Sequence, residues 1–550
     1  MAKSSKEAVV IHDQTNLLTG SKLIIVFCAL ASALLITYID QNSIGVALPT
    51  IGRELNSAST IVWAGTSSLI ANTAFQVLYG RLSDILGRKV ILITCLCMLG
   101  LADLLCGFAQ SGPQLYAFRG ISGLANGGIM ALVMMVVSDI TTLEQRGKYQ
   151  GILGSCVGLG NTIGPFLAAA FTTHVTWRAT FWLITPLTLC VAVLLYFLLP
   201  PQTIPPEPLS TKLAKIDWIG GITSSIGTIL LLIPISGLGT QFSTSSPMVI
   251  AMITLGAFFL LLFVLHEYRF AKLPMLPLRL FNNPALAAML TQNFLIGIVF
   301  QSLLYYLPIY FQSALRMNLV TSAALILPTV IPQAVASALS GQYISRMKRY
   351  GEVIWLGYIC WTIGSSLHCI FDRSTAIVAM VFILGVEGWG IGCVFQPTLV
   401  AAQAHSPKQD RAVVIAARNF IRALGGSAGL AISSAIYSNA LIGTLSGAPD
   451  IPQSFVDKVR HSVFEVPDLD GLGEAQQNVV LNSYVFAARS IFYLWAGAMA
   501  ICLMLMLFIK DKGLTRQEEQ KPLSESATST DAAVGAAVVE GDGKDKGSAV

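Results

Sequence analysis

Long apolar runs separated by short polar breaks set the rhythm of this chain. Fourteen of them recur, at residues 23–48, 61–82, 89–109, 114–138, 149–172, 177–199, 216–238, 248–270, 285–311, 320–345, 353–371, 375–402, 412–441 and 484–509. About 20 apolar residues are enough to cross a bilayer as a helix. In lipid only helices or closed barrels satisfy the backbone. Barrel strands would alternate in polarity, and these runs do not. The pattern predicts an all-α polytopic membrane protein with about 14 transmembrane helices.

The breaks divide the runs into six, two and six. A polar tail, 1–22, precedes a six-helix bundle at 23–199. The segment 200–284 holds a proline-rich linker and two inserted helices, and 285–510 forms a second six-helix bundle. Within that bundle the polar stretch 442–483, with Pro449, Pro452 and Pro467, reads as an extracellular loop with room for a short helix. The tail 511–550 is too poor in apolar residues to fold and is expected to be disordered.

Composition agrees with the pattern. Hydrophobic residues make up 54% of the 550 and charged residues 11%, where soluble domains average about 25% charged. With an even number of spans both termini share one side. Twenty-one Lys and Arg then fall on the loops and proximal tails of that side, against six on the other. Basic residues favour the cytoplasm, so both termini are expected there. The ten cysteines lie mostly inside the runs, where cysteine acts as a small hydrophobe. They suggest no disulfide framework and no metal site. The six histidines are scattered, and neither a Ser/His/Asp set nor a phosphate-binding G-x-x-x-x-G-K-[ST] occurs. No enzymatic activity, cofactor or nucleic-acid partner is expected.

The most distinctive break is Gly80-Arg-Leu-Ser-Asp84-Ile-Leu-Gly87-Arg88-Lys89, between the second and third runs. Its glycines suit positive φ or close backbone approach. Asp84 can pair with the neighbouring bases. A weaker echo, Gly341-Gln-Tyr-Ile-Ser-Arg-Met-Lys-Arg349, follows the second run of the second bundle. The spacing G-x-L-x-D-x-x-G-R-K resembles the signature loop of the major facilitator superfamily, with Ile85 where a base is usual. That resemblance implies two six-helix halves that rock about a midplane site, with the loop as a conformational switch.

Ionisable residues inside the runs are costly and so are candidates for function. Asp40 lies about nine residues from the outer end of the first run and Arg119 about six into the fourth, roughly 13 and 9 Å deep. The two would share a level. Desolvation raises a carboxyl pKa and a nearby arginine lowers it, so the pair could load and release a proton, or form a permanent bridge. Asp40-Gln-Asn-Ser-Ile-Gly-Val-Ala-Leu-Pro49 and Leu115-Tyr-Ala-Phe-Arg119-Gly-Ile-Ser-Gly123 resemble motifs of the fourteen-span drug:proton antiporters. Asn42 and Ser122 replace the commoner Thr and Gln. Gly160-Asn-Thr-Ile-Gly164-Pro165-Phe-Leu-Ala-Ala169 is similar to the antiporter motif of exporters, with alanines for its last glycine pair.

The resemblance implies a proton-coupled fungal-type efflux pump in the plasma membrane, working as a monomer. It would export drugs, toxins or secondary metabolites, with a small organic or cationic substrate, protons and lipid as its partners. Asp40 and Arg119 would couple the proton. A vacuolar importer of basic amino acids is the alternative, and Asp13-Gln-Thr-Asn-Leu17-Leu18 fits an acidic dileucine address. A non-transporting sensor would need a soluble domain that is not visible. In the second bundle Arg418 and Arg422 lie one turn apart on one helix face, with Glu387 as the expected counter-charge. They are candidates for substrate binding or charge relay. His368 and Arg489 are further ionisable residues of this bundle, and Gln292, Gln301, Tyr305, Tyr306 and Trp389 could line a cavity.

Overall fold

Apolar runs of this length become helices because hydrocarbon offers the backbone no other partner. A computed structural model describes residues 16–514 except 58, 59, 62, 201–207, 215, 238–245, 272, 408, 409, 449, 450, 462–468, 470 and 471. The start of the dileucine pattern, most of the linker, parts of the 442–483 stretch and the tail beyond 514 lie outside the described residues. Among the described residues there is no β-strand.

The first bundle holds α1 (Gly20–Glu54), α2 (Trp63–Leu86), α3 (Arg88–Gly107), α4 (Gly112–Ile140), α5 (Leu143–His174) and α6 (Arg178–Leu198). A short α7 (Leu209–Ala214) precedes the inserted α8 (Trp218–Gly237) and α9 (Pro247–Arg269). The second bundle holds α10 (Pro284–Ile309), a short α11 (Leu319–Ala324), α12 (Leu327–Met347), α13 (Gly351–Leu367), α14 (Ile377–Ala404), α15 (Arg411–Ser446), a short α16 (Gln453–His461) and α17 (Glu474–Leu505). Among the described residues thirteen helices are long and apolar enough to cross a membrane. The remaining long helix, α2, has 24 residues but carries Ser68, Asn72, Thr73 and Gln76 along one face. That face lines the central cavity, and the sequence there is accordingly too polar to register.

Several helices outrun their apolar segments. α1, α15 and α17 reach 35, 36 and 32 residues. Hydropathy marks where lipid ends, but the hydrogen-bond ladder of a helix runs on into polar flanks. The ten residues before Tyr484 are therefore the first turns of α17 rather than loop. The break between α2 and α3 is likewise far shorter than a loop. Only Gly87 separates the helices, at φ +100°, so Arg81 and Asp84 ride on the end of α2 and Arg88 and Lys89 on the start of α3.

The buried apolar residues form two large clusters, one mainly on α1–α6 that extends to Leu399, Ala412, Ile415 and Ala416 of the second half, the other mainly on α10 and α12–α17. The inserted pair packs on itself and, through α8, on α2 and α15. The halves meet mainly where α5 crosses α12 and where α2 crosses α15. Small residues allow the approach. Gly151 and Gly154 lie against Ser337, and Gly158 against Ala334 and Val330. The Ser337 hydroxyl donates to Gly151 O at 3.0 Å and the Ser155 hydroxyl to Ala334 O at 2.6 Å. At the second crossing the Cα–H face of Gly80 sits beside Ala412 and Ala416. All of these contacts lie between the end that carries the α2–α3 turn, hereafter the turn end, and the middle of the bundle.

A side chain at Gly341 would meet Gly147 O and, at 2.8 Å, the Cα of Gly151. Gly341→Val is therefore expected to wedge the turn end open without unfolding either half. Substrate turnover should fall at least several-fold, and a cysteine placed at Ser138 should react faster with an impermeant maleimide. Unchanged labelling and turnover, at normal membrane levels, would show that this crossing does not seal the protein.

Candidate functional site

Asp40 sits on α1 where α5 comes close. Cβ atoms at Gly160 and Gly164 would run into Tyr38 and Ile39, the residues that precede Asp40. The small-residue motif thus holds α1 against α5, and Asp40 is turned the other way, toward α4. There Arg119 Nη1 donates to Asp40 Oδ1 at 2.6 Å, and Asn126 Nδ2 donates to Asp40 Oδ2 at 2.7 Å. Arg119 Nε also reaches Ala64 O, at 3.3 Å, and its guanidinium lies 5.8 Å from the Phe181 ring centroid. A second carboxylate joins them: Asp103 Oδ1 on α3 stands 3.9 Å from Arg119 Nη1. Asp40, Asp103 and Arg119 are all buried.

Beside this cluster a cavity of about 300 Å³ opens between the halves. From the first half it takes Gln41, Asn42 and Asn161, the polar face of α2, and Arg119. From the second it takes Phe300, Gln301, Phe395, Asn419 and Arg422. Among the described residues no Asp or Glu lines it. Asn42 Nδ2 donates to Asn161 Oδ1 at 3.0 Å, which ties α1 to α5 at the wall. The Arg422 guanidinium lies 5.2 Å from the Phe395 ring centroid. One turn earlier on α15, Arg418 donates to Phe395 O and, at 3.1 Å, to Thr398 Oγ1. Neither arginine has a carboxylate partner among the described residues.

The expected Glu387–arginine pairing is not formed. Glu387 accepts from the Ser365 hydroxyl at 2.8 Å, and His368 Nε2 lies 3.3 Å from its other oxygen. Arg418 meets α14 at Phe395, eight residues further on, or roughly 12 Å along the axis. A side chain cannot bridge that gap, so the buried acid and the two bases belong to different places. Of the expected cavity residues, Gln301 does line it. Gln292 instead donates to Cys502 O, Tyr306 packs on Tyr437, and Tyr305 and Trp389 are absent from the lining. Arg489 donates to Phe371 O at the end opposite the turn.

At the turn end the charges form a chain across the halves. Asp84 lies 3.5 Å from Arg81 and 3.3 Å from Arg88, and Arg88 also pairs with Asp139 on α4. Arg81 reaches Asp410 of the second half at 3.8 Å, where Arg279 also binds at 2.7 Å. Lys89 donates to Leu199 O. In the echo segment Lys348, in left-handed conformation, pairs with Glu144 at 2.7 Å.

The family model described as Major Facilitator Superfamily matches residues 30–430. This chain belongs to the major facilitator superfamily. It is 46% identical to "Citrate exporter 1" of Yarrowia lipolytica (strain CLIB 122 / E 150), over 96% of this chain and 78% of that one. It is 36% identical to "MFS-type transporter clz4" of Cochliobolus lunatus, over 92% and 90% of the two. Among solved structures, the proton:xylose symporter XylE superposes with a TM-score of 0.59 at 12% identity, over 91% of this chain and 98% of that one. That last likeness is one of fold. The transporter fold, with its two halves around a central cavity, is thus the setting for these charges.

Sequence reasoning passed over Asp103 and Asn126. Asp103 had a signal, as the one charge within the third run after Lys89. Asn126 follows Arg119 by seven residues, two turns on the same face. What could not be read was that α1, α3 and α4 bring all of them to one point.

Because Asp410 pairs with both Arg81 and Arg279, Asp410→Asn is expected to loosen the turn-end closure. Turnover should fall several-fold with normal insertion, and Asp84→Asn, which cuts the same chain on the other side, should add little to it. Fully additive losses in the double variant would mean that the two acids act separately.

Proposed function

We propose that this chain is a secondary active exporter of small organic anions, working by alternating access and coupled to protons through the buried cluster. The observation that carries this reading is Arg422 at the cavity wall, with the buried Arg418 one turn behind it on α15 and neither paired with a carboxylate among the described residues. A buried cation lacking its counter-charge is strongly unfavourable. An anion in the cavity would supply that charge, and arginine forks and amides suit carboxylates. The 46% identity to a protein named as a citrate exporter supports a polycarboxylate cargo. At about 300 Å³ the cavity is at the small end of the usual ligand range, roughly 300–1,000 Å³, which favours such a cargo over a bulky amphipathic drug.

Exchange in which a cation and a proton compete for one carboxylate needs an acid facing the cargo, and there is none among the described residues of the lining. The export direction draws support from the α5 motif and from the relative's name. An inside-negative membrane potential also helps, by about 2.3 kcal/mol per negative charge for each 100 mV. The distribution of basic residues supports cytoplasmic termini, and the plasma membrane is where such an exporter would act.

Purified protein in liposomes should move labelled citrate, and a cationic dye should neither be moved nor compete. Arg422→Gln should lower citrate transport by roughly thirtyfold or more, with Arg422→Lys retaining part of it. Movement of the dye in place of citrate would sink the anion reading, as would full citrate transport by Arg422→Gln.

A further inference from the structure

Three charged side chains meet in the first half, and their charges do not cancel. Asp40 has both oxygens satisfied, one by Arg119 at 2.6 Å and one by Asn126 at 2.7 Å. That is the environment of an ionised carboxylate. Asp103 is fully buried, its nearer oxygen lies 3.9 Å from Arg119, and neither oxygen has a hydrogen-bond partner among the described residues. Were both acids ionised, a net negative charge would stand in a dry site with half of its acceptors unmet. Burial of that kind is relieved by taking up a proton.

We propose that Asp103 holds a transferable proton in this conformation while Asp40 remains the anionic partner of Arg119, and that this proton and the anionic cargo bind together rather than in competition. The neighbours leave few other places for the charge. α1 brings Asp40, α4 brings Arg119, and α3 itself adds only the buried Cys106. α2 contributes the Ala64 carbonyl and α6 the Phe181 ring and the Thr185 hydroxyl, which donates to Gly100 O. None of these last three can take the proton.

The sign of the coupling follows from position, and this second part rests on the anion reading given above. Arg119 belongs both to the cluster and to the cavity wall. With Asp103 neutral, the guanidinium answers one carboxylate and the cluster carries no net charge. When Asp103 loses its proton, the cluster becomes negative and the second carboxylate draws on the same guanidinium. An anion in the adjacent cavity is then repelled. By linkage, bound cargo raises the proton affinity of Asp103 by the same factor. This is the opposite of the cation–proton competition that the drug:proton resemblance implies.

The test uses the full-length protein in detergent or nanodiscs, with citrate as the probe. Citrate affinity of the wild type should strengthen by roughly tenfold from mildly alkaline to mildly acidic solution. Asp103→Asn should hold the acid-side affinity at every pH. Citrate's own ionisation is common to both proteins and cancels in their ratio. Difference infrared spectra of the cargo-free protein should show a protonated-carboxyl band that Asp103→Asn removes. Loss of that band without any citrate binding in either protein would uphold the proton site and overturn joint binding with an anion. Persistence of the band, together with a wild-type pH dependence, would overturn the proposal. Asp103→Glu and Asp40→Glu decide which acid titrates. The first should move the pH midpoint of citrate binding and the second should leave it in place. The reverse pattern would put the proton on Asp40.

Discussion

A charge held inside hydrocarbon must find an opposite one, and most of what is specific about this protein follows from how that demand is met. In the first half it is met within the chain. Arg119 binds Asp40 at 2.6 Å with Asp103 nearby, which draws α1, α3 and α4 to a common point away from the turn end. In the second half the demand is left open. Among the described residues Arg418 donates to a carbonyl and a hydroxyl, Arg422 lies against an aromatic face, and neither meets a carboxylate. An unmet charge beside a cavity is a binding site waiting for its ion, whereas a met charge beside a cavity can be a switch. The two halves divide those roles.

Movement between the halves depends on a different interaction, the close crossing of helices that carry small residues. α5 and α12 pack backbone to backbone at Gly147, Gly151 and Gly341. Such a surface has almost no side-chain interlock, so it can separate and re-form at little cost. Within it the Ser155 and Ser337 hydroxyls donate to carbonyls of the facing helix, and at its margin the Lys348–Glu144 pair and the chain from Asp139 through Arg88, Asp84 and Arg81 to Asp410 add ionic contacts. The inserted helices sit outside the cavity yet touch this margin. Glu267 on α9 accepts from the backbone of Met275 and Leu276, and Arg81 donates to Pro274 O beside them. The insert is therefore strapped to the helix end that carries the switch charges.

The cavity gives the cargo a sign. Drug export by proton exchange rests on a carboxylate that faces first one ligand and then the other. Here the acids stand behind Arg119, and amides and arginines face the space. On the anion reading proposed above, anion and proton act on the same guanidinium from opposite sides, and what one gains helps the other.

Along the chain alone, much was settled by local chemistry. The helices and their number follow from apolar length, because lipid leaves the backbone no alternative. The six-two-six division follows from where polar breaks fall, and the family from three motifs and the turn spacing. Asp40 and Arg119 stood out because a charge in an apolar run is conspicuous wherever the run goes. Only the tertiary structure decided which charges meet. Asp103 was as visible as Asp40, but its distance to Arg119 depends on how α3 packs against α4. Glu387, the one acid inside the apolar runs of the second half, is the expected counter-charge of Arg418 and Arg422, and it lies two turns too far along α14. α2 lost its apolar signature because one face was kept for the cavity, and the turn at Gly87 shrank to one residue because its charges are helical. Periodicity and composition report how each segment meets lipid or water. The neighbours of a buried charge are set by helix packing between segments far apart in the chain, which no local pattern encodes.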